Sequence, residues 1–146
     1  MKAILFGLCL FALASASGIV STKLEALGGN IGSNCDPSLT TYSVTTFAVT
    51  PWPPTKNVYL NLNMTGTVNQ AVTFQEMDIF VTFNGVNFYQ ETVKESGTYK
   101  QGQTATVIFK VFLPGIAPNG KYGVITKIKD TAGAYLNCWQ VAFSLS

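Results

Sequence analysis

The groups best able to do chemistry in this chain are seven carboxylates, because histidine is absent. Without histidine there is no ordinary general base, no Ser–His or Cys–His nucleophile pair, and not the commonest metal ligand. Glu76 and Asp78 stand two apart, so on a strand they share one face. Glu91 and Glu95 make a second pair nearby. A glycoside hydrolase would need two such carboxyls about 5–9.5 Å apart around a cleft. Scattered acids on a small domain are more often solvated surface. The inventory therefore points away from an enzyme and requires no metal or other cofactor.

The cysteines carry a different message. Met1 to Ala16 has the form of a secretory signal peptide: Lys2, an apolar run from Ala3 to Leu13, then Ala14-Ser15-Ala16 as a small-x-small cleavage site. That run is too short to span a bilayer, which takes about 20 residues. Cleavage removes Cys9 and leaves Cys35 and Cys138, an even count with a single connectivity in an oxidising compartment. Two cysteines are too few to hold a structural zinc. Their union would close a loop of about a hundred residues, worth roughly 4–5 kcal/mol in the chain-entropy model. Asn63-Met64-Thr65 is an N-glycosylation sequon, which gains meaning in a chain on the secretory route. All nine basic residues are lysines, scattered along the chain, and no basic stripe offers itself to phosphates. Nucleic acid is therefore not an expected partner.

The elements that must position these groups read as strands. Residues 17–34 form a spacer containing Gly28, Gly29 and Gly32. From Thr40 to Thr50 the chain is rich in β-branched and aromatic residues, until Pro51-Trp52-Pro53-Pro54 stops it. Val58 to Met64 alternates cleanly, with Leu60, Leu62 and Met64 opposite Asn61 and Asn63. Val68 to Phe74 reads as a further short strand. Asn84-Gly85 between Met77–Phe83 and Val86–Val93 is a hairpin signal, since a type I′ turn needs positive φ at both central residues. Thr104 to Leu113 is apolar on both faces and reads as a strand covered on each side. Tyr122, Val124, Thr126 and Ile128 alternate with Lys121, Lys127 and Lys129. The last strand is expected from Ala134 to Leu145, with Tyr135, Trp139, Val141, Phe143 and Leu145 on one face. Short strands with turns every 8–14 residues, and no stretch of helical period, predict an all-β sandwich or barrel.

Phenylalanines are abundant for so small a domain, with ten in the chain. They fill an ordinary core, or they line two sheets that stand apart around an apolar ligand. Here the chain resembles the ML (lipid-recognition) domain family. The resemblance rests on the signal peptide, Cys35, the strand ending in Val49 to Pro54, the sequon strand Leu60 to Thr65, and Ile128-Lys129-Asp130 followed by Leu136-Asn137-Cys138-Trp139. It spans about Cys35 to Ser146.

The resemblance implies an immunoglobulin-like β-sandwich of two antiparallel sheets, about seven or eight strands, over residues 35–146. It implies a lipid, a sterol or acyl chain, held between the sheets, and a bridge from Cys35 to Cys138. Inward-facing apolar residues then become the expected pocket: Phe74, Val81, Phe83, Phe88, Phe109, Val111, Tyr122, Val124 and Ile128. Transfer between membranes or presentation to a receptor follows, in the secreted or endolysosomal space, with Lys121, Lys127 and Lys129 available to membrane headgroups. The alternative for the same sandwich is a secreted adhesion or recognition module with a filled core and a protein or glycan partner.

Overall fold

The computed structural model describes residues 30–146, so the signal peptide expected at 1–16 and most of the spacer lie outside the described residues. Eight strands follow in order: β1 (Ser33–Asn34), β2 (Tyr42–Thr50), β3 (Val58–Val68), β4 (Val72–Phe83), β5 (Val86–Tyr99), β6 (Thr104–Leu113), β7 (Gly120–Asp130) and β8 (Trp139–Leu145). They form a five-stranded sheet, β1-β8-β7-β4-β5, and a three-stranded sheet, β2-β3-β6. Every pairing is antiparallel. The all-β sandwich expected from the sequence is the observed architecture.

Alternation explains which side of each strand is buried. On β3, Leu60, Leu62, Met64 and Val68 are buried while Tyr59, Asn61 and Asn63 face solvent. They meet Met77, Ile79, Ile128 and Trp139 of the other sheet in one hydrophobic core. Burying a side chain of this size contributes about 1.5–3 kcal/mol. Tyr42 is also enclosed, and its hydroxyl donates to the Ala105 carbonyl at 3.0 Å. Burial pushes that phenol above its ordinary range.

The Asn84-Gly85 hairpin forms as the residue types require, with φ of 49° at Asn84 and 82° at Gly85. Cys35 and Cys138 are joined, 103 residues apart in sequence. Beside that bridge, Ile31 ties the two sheets together. Its N–H donates to Phe47 of β2, and its carbonyl accepts from Trp139 Nε1 of β8 at 2.9 Å.

Three sequence expectations about strands need correction. Val68 and Phe74 do not share a strand: Val68 completes β3, residues 69–71 turn, and Phe74 belongs to β4. The Asn69 side chain fixes that turn by donating to the Thr40 carbonyl at 2.7 Å. Strand β6 is not covered on both faces. Among the described residues no second layer lies outside the three-stranded sheet, so Ile108 (66% exposed) and Phe112 (47% exposed) face solvent, Phe112 beside the Tyr59 ring of β3. The last strand starts at Trp139 rather than Ala134, because Asn137 is turned inward and accepts the Ile128 N–H at 2.9 Å. Tyr135 consequently leaves the apolar face, and its backbone pairs with Lys129 in an isolated bridge.

Candidate functional site

Antiparallel connectivity brings the β2–β3, β4–β5 and β6–β7 connections to one end of the sandwich. At that end the interior is not filled. A cavity of about 710 Å³ lies between the sheets. Val49, Leu60, Leu62, Val111 and Leu113 line it from the small sheet. Ile79, Val81, Tyr122, Val124, Val141 and Phe143 line it from the large one. The rim comes from Phe88 and Tyr89 on β5, from Trp52 and Pro54, and from Pro114 to Pro118. Ile116, 93% exposed, stands at the opening. Prolines suit this position because they end β2 and β6 and hold the connections off the ladder.

A chain of rings crosses the cavity end. Trp52 meets Phe143 edge-on at 6.4 Å, Phe143 stacks on Tyr122 at 5.4 Å, and Tyr122 meets Phe88 at 6.4 Å. The Tyr122 hydroxyl donates to the Pro118 carbonyl at 2.8 Å and so anchors the β6–β7 connection. The lining is apolar apart from a few polar atoms, and Glu91 and Lys110 are its charged residues.

Of the nine residues expected to line a pocket, the structure brings Val81, Phe88, Val111, Tyr122 and Val124 together around the cavity. The other four sit elsewhere. Phe74 and Ile128 are fully buried toward the opposite end, where Phe74 packs between Tyr42 and Tyr99. Phe109 is one pleat deeper than Val111 and belongs to the filled core. Phe83 lies behind the rim against Phe88 and Tyr122. Alternation predicts an inward face for these residues, but it gives the face and not the depth. A strand of twelve residues runs about 40 Å, long enough to cross both a filled core and a cavity. The residues that were missed include Leu60, Leu62, Val141 and Phe143, which lay on faces already legible as apolar. Trp52, Pro54 and Pro114 were legible as strand stops, and only the connectivity places them beside one another.

The carboxylates settle differently. Glu76 and Asp78 do share a face, on the outside of the large sheet, where both meet Lys129 at 3.1 and 2.8 Å. Thr92 and Tyr135 hydroxyls each donate to Asp78 at 2.7 Å. Burial raises the proton affinity of Asp78, but these hydrogen bonds and the lysine outweigh it and hold the carboxyl below its ordinary value. Lys129 is held above its ordinary range by the same two carboxylates. It is thus committed to an ion-pair network rather than offered to headgroups. Lys127 lies over the Tyr135 ring at 4.9 Å. Asn63 is exposed on the outer face of β3, directly across from Ile108 and away from the cavity.

Residues 29–145 match the family model described as ML domain. The chain belongs to the ML domain family. Among relatives of this ML protein is a Dictyostelium discoideum protein named for phosphatidylglycerol/phosphatidylinositol transfer, 26% identical over 126 residues, covering 80% of this chain and 87% of that one. Among solved structures, the Niemann-Pick type C2 protein of the Japanese carpenter ant superposes with a TM-score of 0.64 at 10% identity, over 80% of this chain and 99% of the other. Chicken MD-1, solved in complex with lipid IVa, gives a TM-score of 0.54 at 14% identity, over 77% and 86%. At such identities the superpositions speak for the fold.

Proposed function

We propose that this ML protein binds a single apolar lipid, a sterol or an acyl lipid, between its two sheets, and transfers it between membranes or presents it to a partner. The observation that carries the reading is the open apolar cavity of about 710 Å³. Its size falls in the range of small-molecule sites, about 300–1,000 Å³. Burying apolar ligand surface there yields about 25 cal/mol per Å², so shape and burial can hold a ligand without an ionic anchor. The relatives support the reading, one through a name that refers to phospholipid transfer and one through a bound lipid in its solved complex. A cavity of this volume also favours lipid carriage over an adhesion module with a filled core.

The mouth fits contact with a membrane. Ile116, Phe88 and Phe112 are exposed around it, and the connections 51–57, 84–85 and 114–119 contain Lys56 and no acid. The disulfide and the signal-like N-terminus support a secreted or endolysosomal location. The exposed sequon at Asn63 could carry a glycan without obstructing the cavity. No catalytic role is assigned to any carboxylate.

Native mass spectrometry of the secreted protein, followed by organic extraction, tests this function. A mass increment that releases sterol or acyl lipid is the expected result. A protein that stays apo after incubation with sterol- and phospholipid-containing vesicles would sink the reading in favour of adhesion.

A further inference from the structure

Glu91 and Lys110 are the two charged residues among those lining an otherwise apolar cavity, and they stand on opposite edges of its opening. Glu91 lies on β5, the edge of the large sheet, directly opposite Ile79 of β4. Tyr89 lies opposite Val81. Cross-strand partners project from the same face, and Ile79 and Val81 both line the cavity. Strand β5 therefore turns a carboxylate and a phenol toward the interior. The Tyr89 hydroxyl donates to Glu91 Oε2 at 3.2 Å, which orients the carboxylate and leaves Oε1 for another donor. Lys110 lies on β6, the edge of the small sheet, opposite the solvent-facing Asn61, so it projects from the outer face of that sheet and borders the opening over the strand's free edge. Among the described residues the ion pairs are those of Lys129, so neither Glu91 nor Lys110 has an opposite charge within reach. The rings of Phe88 and Tyr89, each more than half exposed, stand on the same rim.

Each ligand class would use these groups differently. A sterol uses neither charge. An anionic headgroup uses Lys110 and meets repulsion from Glu91. A headgroup carrying both a phosphate and an amine satisfies both. We propose that Glu91 and Lys110 form a headgroup subsite for zwitterionic phospholipids, with the phosphate at Lys110, the ammonium at Glu91, and the acyl chains in the cavity. The Phe88 and Tyr89 rings add cation–π attraction for the ammonium or its methylated form. This subsite rests on the lipid-binding reading above and narrows its ligand class.

The test offers the full-length secreted protein vesicles of equal parts phosphatidylcholine, phosphatidylethanolamine and phosphatidylglycerol with a constant fraction of sterol. Captured lipids are extracted and counted by mass spectrometry. Wild type is expected to enrich the two zwitterionic lipids over phosphatidylglycerol. Glu91→Gln should narrow that preference roughly threefold, the scale of an exposed ion pair. Glu91→Lys should turn it toward phosphatidylglycerol. Lys110→Gln should lower all three phospholipids relative to sterol. Unchanged melting curves would show that the variants fold.

Loading in the proportions of the vesicle, loading with sterol alone, or a preference indifferent to both Glu91 variants overturns the subsite while leaving lipid binding intact. A wild type that takes up nothing overturns lipid binding itself. Charged residues turned inward on an edge strand can also guard against self-pairing. Glu91→Gln that changes only self-association assigns Glu91 that role and removes the subsite.

Discussion

Lys129 Nζ lies 2.8 Å from Asp78 Oδ2, and the Asp78 side chain is almost wholly enclosed by its neighbours on the outer face of the large sheet. A carboxylate in that position is tolerable only because three donors meet it. Its proton affinity is lowered on folding, so its contribution is fully present above the unfolded value near 3.8 and is lost as pH falls through the lower folded value. Asp78→Asn should lower stability by about 1–3 kcal/mol at neutral pH, the range for hydrogen bonds to charged groups left incomplete. Glu95 acts in the opposite direction: burial, partly countered by a hydrogen bond from Ser96, raises its carboxyl, which favours the native state at low pH and costs stability as it ionises. Comparing wild type with the Asp78 variant at each pH cancels that effect. Urea midpoints at pH 7, 5, 3 and 2.5 should show a gap that is constant at the first two and narrows from the third to the last. A gap independent of pH would mean that shape, not charge, is what the variant loses.

The Cys35–Cys138 bridge closes a 103-residue separation between the residue after β1 and the residue before β8. Reduction, or a paired Cys35→Ser and Cys138→Ser change, should cost about 2–5 kcal/mol. The paired variant should lose no more than either single one, because each removes the same link. Denaturant melts with and without reductant measure this. Hydrogen exchange should report the first local opening at Ile31 and β1, which are held to β8 through the Trp139 indole and two residue pairs.

Much of the fold was legible because period-two patterns need only local sequence. Leu60, Leu62 and Met64 alternate with asparagines, and they are buried as alternation demands. Asn84-Gly85 carried its own backbone requirement. What failed was information that depends on neighbours. Ile108 and Phe112 read as a covered face, but coverage depends on a second layer, and among the described residues none lies outside the β2-β3-β6 sheet. Phe109 and Val111 share a face and are both apolar, yet of the two Val111 lines the cavity, since alternation says nothing of depth along a strand. The rim was illegible for a similar reason. Trp52 and Ile116 are far apart in sequence and border one cavity through connectivity, not through any motif.

Two glycines with similar positive φ should respond very differently to substitution. Gly85 has φ of 82° with nothing near the position of a Cβ, so Gly85→Ala meets only the left-handed conformation itself, about 1–2 kcal/mol. Gly32 has φ of 89°, but a Cβ there would fall 2.2 Å from the Gln140 carbonyl oxygen and 2.8 Å from Trp139 Nε1. Gly32→Ala must displace β1 from β8 and should exceed the cost of Gly85→Ala. Thermal melts of the two variants decide it; equal shifts would mean that the N-terminal seam yields freely.

The cavity and the core below it should separate under mutation. Phe109 sits in a filled region, so Phe109→Ala leaves a void and should cost about 3–5 kcal/mol. Lipid held by the fraction that remains folded should change little. Val111 borders empty space and is only partly buried. Val111→Lys places a charge where a ligand's apolar body would lie, at little cost to a fold that does not close over that site. Lipid uptake should then fall about tenfold or more, because an unpaired charge against an apolar ligand must be desolvated. Val124→Trp tests the same point by volume, since a large ring directed into the cavity occupies ligand space while remaining apolar. Melting temperature and lipid stoichiometry, measured on all three variants, should therefore move independently: the first at Phe109, the second at Val111 and Val124. If Phe109→Ala alone abolished uptake at matched folding, the ligand would have to reach deeper than the open end, and the assignment of the filled region to core would be wrong.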